Sequence, residues 1–103
     1  MKRIEAAQLS GAPYVAQLNI SLEAAAARWG AAEITWDDMG PWLTYAFELS
    51  NGARAAVVRE VENAPTDGFI LTMDAPETSE EALTRFLIEA ELPREQVTHI
   101  SGH

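Results

Sequence analysis

Two hydrophobic periods organise the chain. Leu22, Ala25, Ala26 and Trp29 recur at helical spacing along one face. Ser21 precedes them as an N-cap, its hydroxyl placed to accept a free N–H of the first turn. Gly30 follows where a left-handed C′ residue is commonly needed, so a helix is predicted over 22–29. A second helical stripe, Leu83, Phe86, Leu87 and Ala90, follows a Thr78/Glu81 capping box and is stopped by Pro93. It predicts a helix over roughly 79–91.

Between the two helices the pattern is β. Glu33–Trp36 is a short strand candidate, followed by the connection Asp37-Asp38-Met39-Gly40-Pro41. Trp42–Leu49 and Arg54–Glu62 flank Ser50-Asn51-Gly52-Ala53, and Asn-Gly supplies the two positive-φ residues of a type I′ hairpin turn. Asn63–Gly68 reads as a turn, Phe69–Met73 as a third strand, and Val97–Ile100 as a last short strand on the sheet edge. Residues 1–20 are the least readable. Ile4–Leu9 suits a short helix ended by Ser10-Gly11, and Tyr14–Ile20 suits either a strand or a lead-in to the next helix. The expected fold is α+β, a single acidic domain over 1–103. An antiparallel meander of three to five strands with an Asn-Gly hairpin packs with two or three helices.

A type I′ turn centred on Asn51-Gly52 sets a register in which Tyr45 faces Val58, Phe47 faces Ala56 and Trp42 faces Val61. Leu43, Tyr45, Phe47, Leu49, Ala56 and Val58 then form a core face. The opposite face, with Trp42, Thr44, Ala46, Val57 and Val61, is mixed rather than polar. Either a second helix covers it or it meets a partner, and the covered reading is favoured because helix 22–29 must pack somewhere.

Charge narrows the function. Seven Lys+Arg against 16 Asp+Glu give net −9. That disfavours direct binding of nucleic acid, which needs cations to displace phosphate counterions, and disfavours anionic membranes likewise. Absence of cysteine excludes disulfides, thiolate metal sites and a Cys nucleophile. Two early cations, Lys2 and Arg3, are followed by no apolar stretch of signal-peptide length. The expected location is therefore cytoplasmic, or outside the cell by a route that leaves no N-terminal signal.

The candidate chemistry is sparse. Asp37-Asp38 lacks the alternating ligands of a calcium loop and reads as a turn with locally bonded carboxylates. His99 and His103 share no helical face and have no carboxylate close in sequence. Neither a Gly-x-Ser-x-Gly elbow nor a phosphate-cradling glycine loop is present. Ser21–Gly30 superficially resembles the first helix of a helix-turn-helix, but Ala31–Asp38 has no Lys or Arg and carries Glu33, Asp37 and Asp38, which excludes a recognition helix. No catalytic residue, metal or cofactor is expected.

The acids concentrate at Glu60, Glu62, Asp67, Asp74, Glu77, Glu80 and Glu81, then Glu89, Glu91 and Glu95. They serve as solvated surface and helix-start charge, and they also create a negative field. Trp36 and Trp42 bracket the acidic loop as interface anchors. Small, acidic, cysteine-free and motif-poor, the chain resembles by type bacterial immunity, antitoxin and inhibitor proteins, without a motif shared residue by residue. The expected function is a non-enzymatic module that masks or regulates a basic protein partner such as a toxin, nuclease or effector, its carboxylates in one version imitating nucleic-acid phosphates. The expected contact set is Trp36, Asp37, Asp38, Trp42, Glu60, Val61, Glu62 and Asp67. Two rivals are a small enzyme or ligand-binding domain with a pocket against the sheet, and a homodimer built on the mixed face.

Overall fold

The computed structural model describes residues 1–9, 11–38, 40–61, 68–75 and 78–100, with only the backbone of His99. Its strands are β1 (Lys2–Ile4), β2 (Tyr14–Leu18), β3 (Glu33–Asp37), β4 (Gly40–Glu48), β5 (Arg54–Glu60), β6 (Phe69–Asp74) and β7 (Val97–Ile100). The helices are α1 (Leu22–Trp29) and α2 (Ser79–Ala90), with 3-10 turns at Ala6–Gln8 and Arg94–Gln96. The class is α+β as expected. The sheet, however, has seven strands among the described residues, in the order β1-β4-β5-β6-β2-β7 with β3 also on β4, and every pairing is antiparallel.

The expected meander is present as β3-β4-β5-β6. The extra strands come from the N-terminal segment. Residues of β1 lie along β4, with Arg3 opposite Phe47, and β2 lies between β6 and β7. Local reading missed β1 because three residues carry too little period to register, and their partner is more than 40 positions away in the chain. The expected helix over Ile4–Leu9 is only the 3-10 turn Ala6–Gln8. The connection expected over Asp37–Pro41 is shorter than that: β3 and β4 pair as far as Asp37 opposite Gly40. The turn expected over Asn63–Gly68 lies, but for Gly68, outside the described residues.

The β4–β5 register differs from expectation by one residue. Tyr45 faces Val57, Phe47 faces Ala55 and Trp42 faces Glu60. Asn51 does not take positive φ; only Gly52 does, at +87°. The Gly52 N–H donates to the Leu49 carbonyl at 3.0 Å, while the Leu49 N–H donates to Ala53 at 2.8 Å. That is a three-residue hairpin loop ending on a left-handed glycine, not a two-residue type I′ turn. The Asn51 side chain sustains it by accepting the Ala53 N–H at 3.0 Å. A slip of one residue turns β5 over. Ala53, Ala55 and Val57 join Tyr45, Phe47 and Leu49 in the core, and Ala56 and Val58 move to the other face.

Both helices pack on this core face. α2 buries Ala82, Leu83, Phe86, Leu87 and Ala90, including all four residues of the expected stripe. α1 is capped by Ser21 as expected but buries only Ala25, while Leu22 and Ala26 are exposed. Its anchor is Trp29, half-buried and 5.2 Å from the ring centroids of both Tyr45 and Phe47. Arg3 donates to the Trp29 and Ala31 carbonyls at 2.7 and 2.8 Å, and Tyr45 donates to Gly30 at 2.8 Å. The open carbonyls at the end of α1 are thereby satisfied from β1 and β4.

The second sheet face is covered in part, but by neither α1 nor α2. Residues 5–9 follow β1, beside β4, and residues 11–13 lead into β2, beside β6. Along this path the Ala6 N–H donates to Glu33 at 2.7 Å, Arg54 donates to the Gln8 carbonyl at 2.5 Å, and the Met73 N–H donates to Pro13 at 3.2 Å. Ala46 and Ala56 of this face are buried.

Candidate functional surface at the β3–β4 end of the sheet

Past the reach of the helices the sheet continues, and there it exposes apolar side chains. Strand alternation places Ile34 and Trp36 of β3 on the core-facing side, opposite Leu43 and Pro41 of β4. Leu43 in turn faces Arg59 of β5. Val61, just past β5, donates its N–H to the Pro41 carbonyl at 3.1 Å and extends the ladder by one position. Ile34 is 58% exposed, Trp36 74% and Val61 44%, while Pro41 and Leu43 are half-buried. These positions have the same alternation as the core, but neither α1 nor α2 covers them.

Acids lie at the same end of the sheet. Asp37 and Asp38 are exposed at the hairpin tip, and Glu33 and Glu60 are half-buried on the reverse face. Trp42 is also on that reverse face, opposite Thr35 on one side and Glu60 on the other. Its indole N–H is buried without an acceptor among the described residues. Beside it, the Thr35 and Thr44 hydroxyls bond each other at 2.9 Å, which satisfies a threonine that is otherwise buried.

Of the expected contact residues, the fold thus brings Trp36, Asp37, Asp38 and Val61 to one end of the sheet, Trp36 and Val61 on the core-facing side and Asp37, by strand alternation, on the reverse. Trp42 and Glu60 are at the same end but behind the sheet. The expected pairing of Trp42 with Val61 is corrected by the register: the two are on opposite faces, and Trp36, not Trp42, is the exposed aromatic. Glu62, Asp67 and His103 lie outside the described residues, as does the side chain of His99. Ile34, Pro41 and Leu43 belong to the patch and were missed. Their alternation with Glu33, Thr35 and Trp42 was a usable signal, but it marks a face and not its exposure.

The remaining chemistry is structural. Among the described residues no cluster of His, Asp and Glu could hold a metal ion. A groove of about 520 Å³ runs along α2, lined by Ser50, Glu81, Arg85, Ile88 and Glu89, with no residue of the buried core in its lining. Burial of the Glu89 carboxyl would raise its pKa, but the Ser50 N–H and hydroxyl and the nearby Met1 amino group together hold it below its ordinary value. Burial pushes the Tyr45 phenol up, and Arg3, 4.7 Å above its ring, opposes part of that shift.

No family model, curated protein or solved structure matches this chain. No helix among the described residues is long and apolar enough to cross a membrane.

Proposed function

We propose that the chain is a non-enzymatic binding module that masks or regulates a basic protein, in the manner of an immunity protein, antitoxin or inhibitor. The observation that carries this reading is the exposed Ile34, Trp36 and Val61 beside Asp37 and Asp38. A large aromatic at 74% exposure has no role in this chain's own core, and clustered exposed apolar residues mark interaction surfaces. Cation usage adds support. Arg3, Arg28 and Arg54 donate to backbone carbonyls rather than to carboxylates, so these three cations cap no acid directly, and the chain as a whole carries net −9. The resulting field speeds encounter with a basic surface, and the aromatic anchor slows release.

The test is parallel retention from an extract of the source organism on immobilised wild-type chain, Trp36→Ala, and Asp37→Lys/Asp38→Lys. A basic protein should be retained by wild type and lost from both variants. Its association rate should drop with added salt in wild type and with the charge reversals, whereas Trp36→Ala should mainly speed dissociation. Retention of an acidic protein, or binding indifferent to salt, overturns the reading.

A further inference from the structure

We infer that the free edge of β3 is the point of contact, where an extended segment of the partner adds to the sheet as a further strand. This rests on the reading of the chain as a binder of a basic protein and specifies how that protein is held. β3 pairs with β4 alone, through five consecutive residues with no shift in register. Its outer edge carries backbone N–H and C=O groups that no strand among the described residues pairs.

Exposed edges are usually blunted by lysine, proline, a bulge or shortness. β1 is three residues long and carries Lys2 and Arg3, and the β2–β7 pairing at the other side of the sheet is irregular. Glu33-Ile34-Thr35-Trp36-Asp37 has no lysine, proline or bulge, and its two charged residues, Glu33 and Asp37, would repel an acidic strand but not a basic one. It is regular, and two of its side chains are large, apolar and exposed.

Charge decides the occupant. A second copy is disfavoured. The antiparallel register that pairs all five residues sets Glu33 of one copy against Asp37 of the other at both ends, and like charges directly opposite destabilise a strand pair. Each copy also carries net −9. A basic strand reverses both terms. Because Glu33, Thr35 and Asp37 share one face and Ile34 and Trp36 the other, the fitting segment alternates Lys or Arg with apolar residues. Its cations then lie on the side of Asp37 and of Glu33, whose carboxylate also holds the Ala6 N–H, and its apolar side chains lie beside Ile34 and Trp36. Main-chain hydrogen bonds supply affinity and the alternation supplies selectivity.

The probe is a capped peptide alternating lysine with valine over about nine residues, a typical strand length, titrated into the full chain and followed by backbone amide NMR. The comparison peptide has the same charge but prolines at two central valines, which removes donors and prevents a strand. The lysine–valine peptide should shift the amides of residues 33–37 first and protect them from exchange. The proline peptide should bind roughly tenfold more weakly, the loss expected for one or two net hydrogen bonds. Trp36→Ala should weaken the first peptide and leave the second unchanged. Equal binding of both peptides, or shifts spread along the acidic face of α2, would mean attraction by charge alone and overturn the edge contact. The binding-module reading would still stand on retention of the basic protein. Concentration-dependent self-association that protects residues 33–37 without peptide would overturn the inference in favour of a second copy.

Discussion

Gly52 sits at φ +87° with open space where a Cβ would project, so a substitution there meets backbone strain and no clash. Gly52→Val should therefore cost about 1–3 kcal/mol, the range for a residue held in a sparsely populated conformation. Urea unfolding measures it. Gly11→Ala is the control: it too has open space around it and has no positive φ, so it should be neutral or slightly stabilising. An unchanged midpoint in Gly52→Val would mean the hairpin loop closes some other way.

The two helices are tied down by groups from distant elements, and each tie is measurable. Arg3 caps the end of α1 through two carbonyls and lies over Tyr45. Arg3→Ala should cost about 1–2 kcal/mol, toward the lower side for hydrogen bonds from a charged group because the side chain is exposed. It should also move the Tyr45 phenol further up, since Arg3 is what opposes the effect of burial. Ultraviolet difference titration reads that shift, and a downward movement would contradict the geometry. At the other end, Ser50 of the β4–β5 loop holds Glu89 of α2. The Glu89 carboxyl is lowered in the folded chain relative to its ordinary 4.5, so the unfolded chain binds the proton more readily. The stabilisation is complete above 4.5 and is lost as pH falls through the lower folded value. Glu89→Gln should flatten that part of the acid arm of a melting-temperature profile. Comparison with wild type isolates it from the general gain in stability as other acids protonate and self-repulsion declines.

At the scale of the whole molecule, net −9 acts in opposite directions on stability and on binding. Self-repulsion destabilises the compact state, and salt screens it, the screening length falling to about 8 Å at physiological ionic strength. The melting temperature of the isolated chain should rise with sodium chloride while association with a basic partner slows. Calorimetry and stopped-flow over the same salt series test both, and parallel changes in the two quantities would argue against a field-driven encounter.

Local chemistry was enough for the helices. The stripe and cap of α2 and the bounds of α1 follow from 3.6-residue periodicity and from Ser21, Thr78 and Gly30, because a helix satisfies its own backbone within a few residues of each position. The meander from Glu33 to Asp74 and the acidic surface were legible for the same reason: alternation and charge are properties of the residues themselves. The facing of β5 was not. Asn51-Gly52 is compatible with a two-residue and a three-residue loop, and the difference, sustained by one Asn51 side-chain bond, turns the whole strand over because its side-chain period is two. Nor could alternation tell Tyr45 from Trp36, although both lie on the same side of the sheet. Tyr45 is covered because α1, held by Arg3 and Trp29, ends above it, and Trp36 is bare because neither α1 nor α2 covers it. Which apolar residues become core and which become surface depends on where separate elements stop against one another, and only the assembled tertiary structure decides that.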